Sequence, residues 1–328
     1  MLALWDTTGL EVVKKLAAER RSAGGVASGL ALTLVVVVDD ARVRQVEDAA
    51  TIAASAHPCR LLVVSRGPVP GPDATTINAK DRLDAEIIVG GRLGPCEAVV
   101  MRMHGRLALH AESVVMPLLA PDVPVVTWWH GPPPDKLAFD PLGVVAERRV
   151  TDITQCADPG AALLLRAEDY APGDTDLAWT RLTGWRTLLA GALDTGNPEV
   201  VEVTVTGSAY EPTTALMRGW LTERLGIPTT ISIAGTLSKV DMLLADGVRI
   251  NLRDQGDGTA ILSRTGVRDR VLPLVKRRLG EELAEELRRL DPDQPYCSAL
   301  ESATGIQGLN ERPPTRSHIW QDPAWANT

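Results

Sequence analysis

The stretch ALTLVVVVDD, residues 31–40, decides the fold class of this chain. Its run of β-branched residues is typical of a strand that is buried on both faces, as in a parallel sheet. A helical pattern over residues 41–56 follows, and HPCRLLVVSRG (57–67) predicts the next strand. Because strand, helix and strand succeed one another in this order, the sequence predicts an α/β domain.

The same alternation continues through the first half of the chain. Residues 84–91 and 96–103 predict strands, 106–119 a helix and 124–129 a further strand. The first two of these strands could instead pair with each other as a hairpin across the intervening glycines. The sequence therefore predicts an N-terminal α/β domain over 1–155, with a mixed, layered sheet and helices.

The second half predicts another α/β domain, over residues 156–300. Its helical and strand patterns lie at 176–190, 199–207, 213–225 and 229–233, and a charged helix is predicted at 275–290. Between them come three antiparallel segments, 240–245, 248–253 and 259–264. Turns at Asp246-Gly247 and Gly256–Gly258 join these segments and predict an antiparallel hairpin extension. Residues 301–328, rich in polar residues and Pro, predict a poorly ordered tail.

Composition bounds the function. The chain has 328 residues and a net charge of −8, which argues against a nucleic-acid-binding face. Its longest apolar run is far shorter than a membrane span needs, and its N-terminus lacks a signal-peptide pattern. Four cysteines lie far apart, as is typical of buried thiols in a reducing cytosol, although a redox pair among them stays open. We therefore expect a cytoplasmic protein that binds neither nucleic acid nor membrane.

The segment PVVTWWHGPPP, residues 124–134, concentrates aromatic surface in a chain that has little of it. It suggests an active-site lip, a docking surface or ordinary core packing. Strand alternation puts Trp128 and Trp129 on opposite faces, so we expect at most one of them to be exposed. With a docking surface in mind, the partner-binding candidates are Trp128, Trp129, His130, Pro132 and also Trp179, which lies one step off the apolar stripe of its helix.

Catalytic signatures are missing from the sequence: we find no phosphate-binding loop, dinucleotide fingerprint, zinc-protease motif or nucleophile elbow. The turn TGSAYEPTT (206–214) resembles an anion-binding strand-to-helix turn, with Gly207, Ser208 and Thr213 as candidates, but a plain crossover turn has the same pattern. Asp39-Asp40 ends the first long strand, where open α/β sheets often bind ligands, but we favour two solvated acids that end this strand and start the next helix. We predict no cofactor and no metal.

Two basic clusters stand out, Arg148-Arg149 and Lys276-Arg277-Arg278. Both are typical of solvated faces. As binding sites they would suit an acidic protein partner or a sugar phosphate.

Three segments together resemble one known family, the OpcA family of glucose-6-phosphate dehydrogenase assembly proteins. They are RLDAEIIVGG (82–91), PLLAPDVPVVTWWHGPPP (117–134) and DLAWTRLTGWR (176–186). HPCRLLVV and GWLTERLG fit the same family, and the resemblance runs in order from about residue 5 to residue 300. The combination of the double-tryptophan segment with DLAWTRL is specific to that family.

The resemblance implies a non-catalytic partner of glucose-6-phosphate dehydrogenase, the NADP-dependent entry step of the oxidative pentose phosphate pathway. Such a protein would bind the dehydrogenase and act as an allosteric activator of its active oligomer or conformation. The resemblance assigns no binding residue, and the thiol-based redox control linked to cyanobacterial members cannot be read from the four cysteines. The alternative is an enzyme or metabolite sensor that binds a sugar phosphate or nucleotide at the 206–214 turn, which leaves a small-molecule ligand open.

Overall fold

The computed structural model describes residues 1–22, 29–39, 42–67, 80–90, 96–194 and 198–313. Within these residues the chain forms two compact units. The first comprises Met1–Thr151 and Leu279–Asp291, and the second comprises Asp152–Arg278 and Pro292–Pro313. Among the described residues, each unit is therefore assembled from two separate stretches of the chain.

The strands of the first unit lie in one sheet. They are β1 (Leu2–Leu4), β2 (Leu32–Val38), β3 (Cys59–Arg66), β4 (Arg82–Val89), β5 (Glu97–His104), β6 (Val125–His130) and β7 (Arg148–Thr151). Their order across the sheet is β1-β4-β5-β3-β2-β6-β7. The pairs from β5 to β7 are parallel, whereas β4 is antiparallel to both β5 and β1. The result is a mixed sheet whose parallel part runs from β5 to β7.

The helices that accompany this sheet are α1 (Gly9–Ser22), α2 (Val43–Ala56), α3 (Arg106–Leu109), α4 (Ala111–Val115) and α5 (Pro141–Val144). The strands β2 and β3 are buried almost throughout because apolar elements cover both faces of the sheet.

The second unit contains α6 (Pro159–Asp169), β8 (Asp174–Asp176), α7 (Leu177–Arg181), α8 (Thr183–Leu193), β9 (Val200–Gly207), α9 (Pro212–Leu225), β10 (Thr229–Ile233), β11 (Lys239–Leu244), β12 (Arg249–Asp254), β13 (Thr259–Arg264) and β14 (Val267–Pro273). Six strands form a sheet in the order β10-β9-β11-β12-β13-β14. The pair β10–β9 is parallel and the others are antiparallel. Alternate residues of β11, Val240, Met242 and Leu244, are buried, so one face of this sheet carries the core.

Two more helices complete the units. Helix α10 (Leu279–Glu286) belongs to the first unit and packs on α2, where a Cβ at Gly280 would lie 2.7 Å from the carbonyl oxygen of Ala49. Helix α11 (Gln294–Thr304) belongs to the second unit and packs on α9. Beyond it Leu309 is buried, and residues 314–328 of the predicted tail lie outside the described residues.

The predicted fold class, two α/β domains with an antiparallel extension in the second, is confirmed. The hairpin alternative for 84–91 and 96–103 is confirmed as well, since β4 pairs antiparallel with β5. No helix among the described residues is both long enough and apolar enough to span a bilayer.

Several local predictions were wrong. The helix predicted over 106–119 is two short helices and a 3-10 turn at Met116–Leu118, where Pro117 supplies no N–H. Strand β14 was not predicted, because its residues are nearly all exposed and show no alternation of burial. Arg148 and Arg149 are buried rather than solvated.

Candidate functional site

The two tryptophans of β6 are both buried. Trp128 is 0% exposed and Trp129 is 3% exposed, so neither indole faces solvent, where we expected at most one to do so. The reason is the position of β6, which lies between β2 and β7 with both of its faces covered. On one face Trp129 Cη2 would lie 3.5 Å from a Cβ at Gly143 of α5, and on the other Trp128 contacts His130 edge to face, with 5.3 Å between ring centroids.

What β6 presents to solvent lies just beyond the indoles. His130 is half-buried, whereas Pro132, Asp135 and Lys136 are exposed. We call these four residues the β6 exit surface. Trp128 holds the His130 ring from below, and three consecutive prolines (132–134) restrict the backbone that follows. The surface is therefore pre-ordered and carries one acidic and one basic side chain.

Charged groups from β2 reach the same edge of the sheet. Because β2 and β6 are parallel, with Val38 opposite His130, their carboxyl ends adjoin. Gly131 has φ of +113°, a backbone conformation that glycine adopts at no steric cost. A Cβ at Gly131 would lie 3.4 Å from Arg42 Nη1 and 3.9 Å from Asp39 Oδ2. Asp39 is exposed, as expected of a solvated acid, and it lies at the carboxyl end of the sheet, where open α/β sheets bind ligands.

A bidentate ion pair lies at the end of β3, the strand next to β2 in the sheet. At the end of β3, Arg66 donates to both carboxylate oxygens of Asp140, at 2.9 and 2.8 Å. Asp140 also caps α5 by accepting from the backbone N–H of Leu142 at 2.9 Å. These charges hold the loop after β6 in place. Sequence inspection missed Arg42, Arg66 and Asp140, and the signal that could have found the first two is that parallel strands end at a shared edge.

The predicted anion-binding turn, residues 206–214, belongs to the second unit. The position that an anion would take there is occupied by a carboxylate of the protein itself. Glu211, the N-cap of α9, accepts from the backbone N–H groups of Thr213 at 3.0 Å and Thr214 at 2.8 Å. Gly207 is closely packed, since a Cβ there would lie 2.4 Å from Thr214 Oγ1. Ser208 is only half-buried beside them. A phosphate at this helix end would have to displace the protein's own carboxylate.

Glu211→Ala should lower the free energy of unfolding by about 1–2 kcal/mol, because the N-cap carboxylate that pairs with the first N–H groups of α9 is lost. Urea unfolding monitored by circular dichroism measures the change. Glu223→Ala on the same helix is the matched control, since the ion pair of Glu223 with Arg224 is exposed and its loss should change stability little. An equal loss in both variants would contradict this role of Glu211.

Trp179 is also buried, so its prediction as an exposed aromatic residue was wrong. Its Nε1–H donates to Asp293 Oδ2 at 2.9 Å, and the Arg186 guanidinium carbon lies 3.6 Å from the ring centroid. Asp293 in turn caps α11 by accepting from the backbone N–H of Tyr296 at 3.0 Å. The indole is thus a structural element of the second unit.

Two of the four cysteines meet. Cys59 and Cys96 lie side by side at the amino ends of β3 and β5, and the Cys59 N–H donates to Cys96 Sγ at 3.4 Å. Their hydrogen bond lowers the pKa of the Cys96 thiol to about 6 and raises the pKa of Cys59. Both thiols are buried. The sequence separation of the two residues hid this contact, and a redox role for the pair stays a prediction.

The chemistry available at the β6 exit is recognition through ion pairs, hydrogen bonds and a rigid apolar rim. Among the described residues no group of three or more His, Cys, Asp and Glu side chains could hold a metal ion.

Fold and site together define a two-unit α/β protein in which the buried tryptophans of β6 support the β6 exit surface. Two family models match it: the glucose-6-phosphate dehydrogenase subunit N-terminal domain over residues 50–168, and the corresponding C-terminal domain over residues 172–300. The chain belongs to the OpcA family of glucose-6-phosphate dehydrogenase assembly proteins.

Two curated relatives support this assignment. The OxPP cycle protein OpcA of Synechococcus elongatus is 30% identical over 220 residues, which cover 64% of this chain and 47% of that protein. The protein of the same name from Nostoc punctiforme is 26% identical over 182 residues, covering 52% and 38%. The matches thus span less than half the length of either relative. No solved structure matches the chain.

Proposed function

We propose that this chain binds glucose-6-phosphate dehydrogenase in the cytoplasm and favours its active oligomer or conformation, as a non-catalytic assembly protein of the oxidative pentose phosphate pathway. The observation that carries the proposal is the match of both dehydrogenase-subunit domain models, in order, over residues 50–168 and 172–300. Names of relatives support the same pathway.

Activation of this kind requires differential affinity. The chain must bind the active state of the dehydrogenase more tightly than the inactive state, because equal affinity for both would shift nothing. A preference of about 100-fold corresponds to about 2.7 kcal/mol of coupling, which changes the population of the active state substantially.

We place the contact at the β6 exit surface. Pro132 is exposed, and the three prolines restrict the backbone, so binding would cost little conformational entropy. His130 is held against Trp128, and the exposed residues Asp135 and Lys136 give the surface side chains of both charge signs. The indoles themselves contribute as rigid support beneath the surface rather than as anchors in the partner.

A metabolite-binding role at residues 206–214 gains no support from the geometry. Glu211 occupies the helix end that a sugar phosphate or nucleotide would use. We therefore propose no small-molecule ligand for that turn.

Titration of purified dehydrogenase with this chain should raise its specific activity and stabilise one oligomer, measured by NADPH absorbance and by light scattering. A His130→Ala, Pro132→Ala double variant should need at least about ten times more protein for half-maximal activation, equivalent to about 1.4 kcal/mol. His130 is the last residue of β6 and Pro132 lies just beyond that strand, so we expect the fold to persist in this variant.

Glu223→Ala, an exposed change on α9, is the control and should activate like the natural chain. If the natural chain alters neither the activity nor the oligomeric state of the dehydrogenase, the proposed function fails. If the double variant activates normally, the contact lies on another surface.

A further inference from the structure

The two edges of the six-stranded sheet in the second unit are unlike each other. At one edge β14 carries Arg268, Asp269 and Arg270, a register shift against β13, and Pro273 at its end. Charges, a bulge and proline are the devices by which natural proteins keep an edge strand from pairing with another chain. The β14 edge is therefore protected.

The opposite edge, β10, has none of these devices. Its sequence is TTISI, and no charged residue occurs between Arg224 and Lys239. Among the described strands β10 pairs only with β9. Ile233 is 92% exposed, which is unusual for a large apolar side chain. An uncharged, β-branched edge of this kind is a template for a further strand.

Some backbone N–H and C=O groups of β10 point away from β9, where they could bond to a further strand. The N–H of Ala234 donates to the carbonyl of Gly207 on β9 at 3.1 Å. In a parallel pair of strands, every second residue directs its backbone N–H and C=O groups to the same neighbouring strand. The backbone groups of Ser232 and Thr230 therefore also point toward β9. The N–H and C=O groups of Ile231 and Ile233 consequently face away from β9, toward the free edge.

We propose that β10 is a dimerisation edge, at which a second copy of this chain adds its own β10 in antiparallel orientation. A two-fold axis through Ile231 would pair that residue with itself, Thr230 with Ser232, and Thr229 with Ile233. Each Ile231 N–H then reaches the Ile231 carbonyl of the other copy, and each Ile233 N–H reaches the Thr229 carbonyl. The two sheets become one continuous sheet.

Charge favours a second copy at β10 and disfavours it at β14. Self-pairing of β10 brings together only uncharged side chains, and β-branched pairs across strands are stabilising. The same operation on β14 about Asp269 would place that carboxylate opposite itself and Arg268 opposite Arg270. Like charges directly opposite each other are destabilising.

The expected interface is small. Ile233 and Tyr210, which is 80% exposed and follows Gly207 by three residues, add apolar surface at the end of the strand pair. Even so, a pair of five-residue strands buries less than the ~1,200–2,000 Å² of a stable interface. The dimer should therefore form with micromolar affinity and dissociate on dilution.

Sedimentation velocity of the full chain over about 1–100 μM tests the proposal. The mass should rise from one copy toward two with concentration. Ile231→Lys puts like charges opposite each other across the axis, and Ile233→Pro removes an outward N–H without removing a bond to β9. Both variants should stay at the mass of one copy, whereas Val271→Lys on the exposed β14 edge should dimerise like the natural chain.

We expect the Ile233→Pro variant to fold, because position 233 is almost fully exposed. Circular dichroism tests whether each variant is folded. A single-copy mass at every concentration would overturn the proposal, as would undiminished dimerisation of both β10 variants. Amide protection of Ile231 and Ile233 that arises only when dehydrogenase is added would assign the edge to that partner instead. Failure of the dimer would leave the proposed function intact, since activation is measured separately.

Discussion

Arg148→Ala should lower the free energy of unfolding by about 3–5 kcal/mol, because it breaks a buried ion pair and removes the donor to two backbone carbonyls. Arg148 is 2% exposed and donates to the carbonyl oxygens of Arg289 and Asp291, both at 2.7 Å. It also donates to the Glu286 carboxylate. One side chain thus fastens the returning segment Leu279–Asp291 to β7 of the first unit.

Urea unfolding followed by circular dichroism measures this loss, and amide exchange should show that α10 opens first. Arg288→Ala is the matched control in the same segment, since Arg288 is exposed and its ion pair with Glu285, at 3.1 Å, lies at the surface. Its effect should be within about 0.5 kcal/mol of zero. If both arginines cost the same, the buried network does not hold the segment.

Gly219→Ala should cost about 3 kcal/mol or more, beyond the usual range for overpacking, because the added methyl meets backbone rather than a movable side chain. The Cβ would lie 2.2 Å from the carbonyl oxygen of Ala299 and 2.8 Å from the backbone nitrogen of Ala303. Helices α9 and α11 would have to separate, which disrupts the core of the second unit.

Thermal and urea unfolding measure the effect of this substitution. Gly191→Ala is the control: Gly191 lies in α8 and is exposed, and among the described residues outside its own helical turn no atom lies within 4 Å of the added Cβ. That change should stabilise the protein by about 0.5–1 kcal/mol, since alanine favours helix and restricts the unfolded chain. A Gly219→Ala variant as stable as the natural chain would show that α11 can shift freely.

Much of the fold could be predicted from local patterns. The β-branched run at residues 32–38 predicts a strand buried on both faces, and alternation at 240–244 predicts a strand with one buried face. Contacts between distant segments could not be predicted. Arg148 looked like part of a solvated face because its partners lie in residues 286–291, and no periodicity connects the two.

The site was predicted less well than the fold. Alternation correctly separates Trp128 from Trp129, but it does not say how many layers cover a central strand, and here both faces are covered. The turn pattern at 206–214 suggested an anion, whereas the carboxylate of Glu211 supplies the negative charge from within. In both places the missing information was which neighbour already occupies the space.

The interleaved organisation of the two units has a consequence for synthesis on the ribosome. The first unit lacks Leu279–Asp291 until all of Asp152–Arg278 has been made, and the second lacks Pro292–Pro313 until Leu279–Asp291 has been made as well. The first unit therefore cannot close in the usual order, in which an N-terminal domain folds before the next domain is translated. The surface of α2 that α10 covers stays open while residues 152–278 are being made, so the nascent chain exposes it throughout that period.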